Sequence, residues 1–230
     1  MRAAFELPHP CVPVAGEDLG FPVRRLWCVG RNYAEHAREM NAAAEPVVFL
    51  KPASSLLPGG GRVPWPRGSA LVHHEVELVL LLGAGGRDLS PADAAQAIAG
   101  VAIGVDLTAR DLQDEAKKKS APWARSKGFA GAAPVSAFAP RTAVADWGAL
   151  DLSLTVDGAV RQSDRASSMI LAPPAIVAQL SRWFALEPGD VVFTGTPAGV
   201  GPLQPGQEVA AHCAALGLSV TFAMDAPAGD

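Results

Sequence analysis

His73-His74-Glu75-Val76-Glu77-Leu78-Val79-Leu80-Leu81-Leu82 is the stretch on which the reading of this chain turns. Its second half is an unbroken apolar run, the pattern of a strand buried on both faces. Two glutamates stand at its entrance, two residues apart. A β-strand directs residues i and i+2 to one face, about 7 Å apart. The stretch therefore predicts one long strand over 72–82, with two carboxylates pointing the same way where the chain enters the core. Carboxylates that close repel one another, and burying them is costly unless they are paired or bound to a cation. A divalent ion is the simplest remedy. The alternative is a pair of solvated strand-end acids, since alternation places many acids at this spacing. The adjacent His73 and His74 would face opposite ways on a strand and chelate zinc poorly.

On either side of that strand, 23 glycines and 20 prolines are spread along the chain, which predicts short strands joined by tight turns. Residues 26–30 read as a buried strand ending at a glycine, 32–40 as a short helix, 47–50 as a second strand and 58–68 as a loop. Ser90 caps a helix that has Pro91 at its first position and Asp93 in its first turn, and that stops at Gly100. A buried strand over 101–106 leads to Thr108, which can cap a helix over 109–118 with Asp111 in its first turn. Leu150, Leu152, Leu154 and Val156 alternate with polar residues before Asp157-Gly158, a hairpin signal. Residues 173–184 form an amphipathic helix with Ile176, Val177, Leu180, Trp183 and Phe184 on one side. Strands over 191–194 and 218–224 follow. The sum is a β-rich α+β fold without a βαβ rhythm.

The 230 residues suit one large domain, 23–230, preceded by an arm, 1–22, that holds four prolines. Only 18% of residues are charged and the net charge is −4. With no basic stripe interleaved with aromatics, nucleic acid is excluded as an expected partner. Lys117-Lys118-Lys119 reads as a solvated helix face. The first residues carry charge and prolines where a secretory signal needs an apolar core, and no apolar run approaches the ~20 residues of a membrane span. Cys11, Cys28 and Cys213 match neither a zinc pattern nor a disulfide framework. Buried thiols in a reducing cytoplasm are the expectation.

Asp106 supplies a third carboxylate after the buried strand. With Glu75 and Glu77 it would make a set of hard oxygen donors, suited to Mg²⁺, Mn²⁺ or Ca²⁺ rather than Zn²⁺. His36 and Glu39 share a face of the 32–40 helix, as a base pair for water or as a surface ion pair. Arg110 and Gln113 share a face of their helix, aimed at the same place or simply polar surface. Gly195-Thr196-Pro197-Ala198-Gly199-Val200-Gly201 lacks the lysine of a phosphate loop and reads as a turn after a strand, whose N–H groups could meet a carboxylate.

Taken in order, several segments resemble the fumarylacetoacetate hydrolase family, and most closely its small single-domain acylpyruvase and fumarylpyruvate hydrolase branch. They are Val29-Gly30-Arg31-Asn32-Tyr33-Ala34-Glu35-His36-Ala37-Arg38-Glu39-Met40, Phe49-Leu50-Lys51-Pro52, His74-Glu75-Val76-Glu77-Leu78 and Asp106-Leu107-Thr108-Ala109-Arg110-Asp111-Leu112-Gln113. Trp123 and Lys127, Ser167-Ser168-Met169-Ile170, and Leu186-Glu187-Pro188-Gly189-Asp190 through Gly201 complete the series. The resemblance implies a mixed β-roll with short flanking helices, usually a homodimer. It implies that Glu75, Glu77 and Asp106 bind Mg²⁺ or a similar ion. His36 and Glu39 become a water-activating dyad on a lid helix, with Lys127 as a third catalytic group. Arg31, Lys51, Arg110, Gln113 and Thr196 line or approach the substrate. One departure is Gly128-Phe129-Ala130-Gly131, where the family usually has a small polar residue and often an Asp.

The leading expectation is thus a metal-dependent hydrolase that cleaves the C–C bond of a 2,4-dioxo acid such as fumarylpyruvate. An oxaloacetate decarboxylase or keto–enol tautomerase using the same enolate is the alternative. A metal-stabilised binding domain without catalysis is a remote third.

Overall fold

The computed structural model describes residues 9–33 and 46–227. The apolar run does form a strand, Val76–Leu82, and every residue of it is buried. Leu78, Leu80 and Leu82 face the larger of two apolar clusters, while Val79 and Leu81 face the smaller. A strand with a core on each side has no polar face, which is why its sequence does not alternate.

This strand lies within an eight-stranded mixed sheet. It pairs antiparallel with Ile98–Val105 on one side and with Asp190–Phe193 on the other. Asp190–Phe193 pairs parallel with Arg25–Gly30, which carries Val47–Lys51 at the edge. Ala133–Val135 and Leu56–Pro58 extend the opposite side. A five-stranded sheet, from Ala159–Arg165 through Asp151–Val156, Glu208–Cys213 and Leu218–Met224 to Gly60–Val63, packs across the larger cluster. The two sheets, with few helices, make the β-rich α+β roll that the sequence implies. Cys11–Pro13 pairs with Gly20–Pro22, and Val12 is fully buried in the smaller cluster.

Local rules hold at several junctions. Ser90 Oγ accepts from Asp93 N at the start of Pro91–Ala97. Asp157 and Gly158 both adopt positive φ, 50° and 77°, as a two-residue hairpin turn requires. Before Asp190–Phe193, the buried Asp190 carboxylate takes two 2.7 Å hydrogen bonds from Arg25 and a third from Glu187 N. Changing Arg25 to Met leaves that carboxylate short of its partner, and we expect a loss of about 2 kcal/mol in urea unfolding, discounted for the partial exposure of Arg25. A loss below about 0.5 kcal/mol would mean that the pair is incidental.

Five expectations are corrected. The strand over 72–82 is two strands, Val72–His74 and Val76–Leu82, in different sheets. The loop over 58–68 contains Gly60–Val63, which pairs parallel with Leu218–Met224 and so is partly sheet. Thr108 does not cap the following helix: it belongs to the short strand Thr108–Ala109, and its hydroxyl bonds to Asp106 O. That helix is Arg110–Lys118. Trp183 is exposed rather than on the buried side of Pro173–Trp183, although Phe184 packs on Trp27 with ring centroids 4.3 Å apart. Cys11 is exposed, unlike Cys28 and Cys213. Most of the helix expected over 32–40 lies outside the described residues.

Candidate metal and substrate site

Glu75 occupies the break between Val72–His74 and Val76–Leu82. The first of these strands turns into a small sheet with Thr108–Ala109 and Gly201–Leu203. Asp106 N donates to Glu75 O at 2.8 Å, so the chain leaving Ile98–Val105 brings Asp106 alongside. Glu77 Oε2 accepts from Gly195 N at 2.6 Å. Gly195 has φ +98°, and a Cβ there would lie 2.9 Å from both Asn32 Cβ and Val29 O. Only glycine lets the backbone reach Glu77 this closely.

The result is a buried cluster in which Glu75, Glu77 and Asp106 each offer a carboxylate oxygen within 4.8 Å of the others. Lys127, from the one-turn helix Ala124–Lys127, places its ammonium 2.8 Å from Glu75 Oε2 and 2.7 Å from Asp106 Oδ2. Arg110 bonds to Glu75 Oε1 and, at 2.6 Å, to Gln113 Oε1. Lys51 Nζ lies 2.8 Å from Asp106 Oδ1 but donates to Leu107 O and Lys127 O. That approach is an ion pair off the line of a hydrogen bond, so Asp106 Oδ1 is buried without a hydrogen-bond partner.

The charges act unequally. Burial pushes the Glu75 carboxyl up, but Lys127 and Arg110 outweigh it and hold the group well below the usual range. Glu77 has only the Gly195 N–H and more distant positive charge in its favour. Burial, with Asp106 and Glu75 nearby, pushes it well above that range. Burial works against the Lys127 ammonium, yet Asp106 and Glu75 raise it above the ordinary lysine value. Burial and Arg110 push His73 down to about 4, and burial also lowers His74, so both are neutral at pH 7 and stand outside the carboxylate cluster. Three converging carboxylates, one bearing a buried oxygen that accepts no hydrogen bond and one resisting ionisation, fit a hard divalent cation.

Beside this cluster opens a small cavity of about 60 Å³. Arg31, Arg110, Gln113, Lys127 and Thr196 all line it. Lys51 stands behind Asp106 and does not reach the cavity wall. His36 and Glu39 lie outside the described residues. Arg31 adopts φ +66°, and the Asn32 that follows is clamped by Leu171 and Thr194 through three hydrogen bonds.

The sequence reading missed two contributors. Lys117 is exposed like Lys118 and Lys119, as a solvated helix face predicts, but that reading gives it no place at the site. Lys117 itself lines the cavity, with its ammonium 5.8 Å from the centre of the Trp123 ring. Its proximity to Trp123 could be read only after the turn between them was known. Gln162 carried no signal at all, because it looked like one polar residue of a surface hairpin. It is buried and contacts His74, Val76, Thr196 and Pro197.

An apolar roll holding a carboxylate cluster beside a cation-lined cavity is an arrangement that could hold a divalent cation together with a small anion. The chain matches the fumarylacetoacetate (FAA) hydrolase C-terminal family over residues 25–221, and it belongs to that family. It is 44% identical over 215 residues to the mitochondrial oxaloacetate tautomerase FAHD1 of Bos taurus, covering 90% of this chain and 97% of that one. It is 40% identical to a mitochondrial oxaloacetate decarboxylase of Dictyostelium discoideum, over 88% and 93% of the two chains. A fumarylpyruvate hydrolase from Pseudomonas aeruginosa, solved with Mn²⁺ and pyruvate, superposes with a TM-score of 0.93 at 36% identity, over 97% and 99% of the chains.

Proposed function

We propose that this chain is a divalent-metal-dependent enzyme that interconverts the enol and keto forms of oxaloacetate. Acylpyruvate hydrolysis, the leading expectation from sequence, becomes the second reading. The observation that carries the proposal is the Lys127 ammonium between Glu75 and Asp106: a proton donor fixed at the one place where a 2-oxo acid and a cation would meet. The names of the curated relatives support the oxaloacetate reading.

Glu75, Glu77 and Asp106 would hold the ion, Mg²⁺ by expectation and Mn²⁺ or Ca²⁺ as alternatives. Such an ion supplies Lewis acidity that polarises a 2-oxo group and stabilises its enolate. The protein supplies the rest. Arg110, steered by Gln113, offers a guanidinium to a carboxylate. Arg31 and Lys117 add positive charge toward the cavity, which suits a dianion. Thr196 donates its hydroxyl to a substrate oxygen. In the ketonising direction the enol hydroxyl loses its proton to solvent, Lys127 gives its own proton to carbon 3 and is reprotonated from solvent; the reverse direction runs the same transfers backwards.

Decarboxylation uses the same groups. The bond from carbon 3 to the departing CO₂ breaks, its electrons form the enolate of pyruvate, and Lys127 protonates carbon 3. Hydrolysis of an acylpyruvate differs only in its first step, where water attacks the 4-carbonyl. The similarity to a fumarylpyruvate hydrolase favours this second reading, with His36 and Glu39 as the groups that would deprotonate the water. A homodimer in a reducing, cytoplasm-like compartment belongs to the same proposal.

The test follows the enol absorbance of oxaloacetate in the presence of Mn²⁺. The protein should speed ketonisation well beyond Mn²⁺ alone, and chelation should remove the gain. No acceleration over free Mn²⁺ sinks the proposal. Glu39→Gln separates the two readings: it should abolish fumarylpyruvate hydrolysis while leaving tautomerisation within about threefold, because only hydrolysis needs an activated water. Hydrolysis that survives this change removes Glu39 from the mechanism.

A further inference from the structure

Gln162 is the one fully buried residue of Ala159–Arg165. The hairpin register explains how it gets inside. Leu154 faces Gln162 while Thr155 faces Val160, so Arg161 is an extra residue in a bulge. Bulges re-aim side chains. Here Val160 turns to solvent and Gln162 turns toward the cavity wall.

Its carboxamide is fully used. Oε1 accepts from Val76 N at 3.0 Å and lies 2.9 Å from His74 Nδ1. Nε2 donates to Thr196 Oγ1 at 2.8 Å and to Pro197 O at 3.0 Å. The Val76 N–H can only donate and the Pro197 carbonyl can only accept, which fixes the orientation of the amide and places the His74 proton on Nδ1. Thr196 Oγ1 therefore serves as an acceptor toward Gln162. Its single O–H must point elsewhere, and Thr196 lines the cavity beside Glu75 and Glu77.

We infer that Gln162 is a positioning residue for substrate binding: it fixes the Thr196 hydroxyl as a hydrogen-bond donor into the cavity, toward an anionic oxygen of a 2-oxo acid. The same amide spans the two residues flanking Glu75, so one side chain sets both the break in the strand and the donor opposite it. The inference rests on the reading of Thr196 as a substrate contact under the proposed function.

A double-mutant cycle tests it, with oxalate as the probe on Mn²⁺-loaded protein and Kd measured by calorimetry. Thr196→Val and Gln162→Met should each weaken oxalate about tenfold, the scale of one lost hydrogen bond to a charged group. In the Thr196→Val background, Gln162→Met should change Kd less than twofold, because its effect runs through that hydroxyl. A purely structural role would instead give independent losses that multiply, and that result overturns the inference. So does a Gln162→Met protein that binds oxalate as wild type does while Thr196→Val does not. If wild type itself binds no oxalate, the proposed function fails together with the inference.

Should Gln162→Met not fold, a crystal structure of wild type with Mn²⁺ and oxalate decides the matter. Thr196 Oγ1 should then lie within hydrogen-bond distance of both an oxalate oxygen and Gln162 Nε2. Absence of either contact overturns the inference.

Discussion

Changing Lys127 to methionine is expected to lower kcat for oxaloacetate tautomerisation by about 10³-fold, within the range of a lost general acid. The variant keeps the three carboxylates, so Mn²⁺ should still bind, and more tightly if anything, since the ammonium no longer shares Glu75 and Asp106. Metal-free stability should move the other way. Two buried carboxylates lose the cation that both of them face, at a cost of about 3 kcal/mol, and Mn²⁺ should restore part of it. Stopped-flow rates and thermal melts with and without Mn²⁺ read the two effects separately. A kcat within tenfold of wild type would show that another group carries the proton.

The second large effect has the opposite pattern. Glu77→Gln replaces the carboxyl that burial, Asp106 and Glu75 most oppose with a neutral group of the same shape. Its Oε1 can still accept from Gly195 N. The metal-free variant should therefore melt no lower than wild type, because a repulsive contact has been removed. A saturating ion tells the two proteins apart. Mn²⁺ at about 100 times its Kd stabilises a binding protein by about 2.7 kcal/mol. Wild type should show that gain, the variant should show none, and its turnover should fall below detection. If Mn²⁺ stabilises both equally, Glu77 is not a ligand.

Much of this site could be read in the chain before its structure. The i, i+2 glutamates, the aspartate after a buried strand and the arginine–glutamine pair one helical turn apart all obey local geometry. The ordered family motifs then gave those positions chemical meaning. What stayed hidden depended on contacts between distant segments. The strand break at Glu75 follows from pairing with Thr108–Ala109 and Gly201–Leu203, about 35 and 130 residues away along the chain. Gln162 was hidden because alternation from apolar Val160 gives both residues the same side, and one bulged residue reverses that assignment. Thr108 looked like a helix cap because Ser/Thr before a helix usually is one, but a ladder with His73 claimed its backbone. Gly60–Val63 looked like a loop because three consecutive glycines with positive φ precede or open it. The partner that makes it a strand comes from the far end of the chain.

The ammonium of Lys127 between Glu75 and Asp106 also bears on the order in which the protein matures. Together with Arg110 and Lys51, it counterbalances the acids of the cluster from inside the polypeptide. Folding then need not wait for an ion, and synthesis in metal-poor surroundings should yield a native apoprotein. Loading becomes a late and reversible event, in which one cation can be exchanged for another without dismantling the scaffold. On this account, an ion taken up at the site in a cell would reflect local supply more than any demand made by folding.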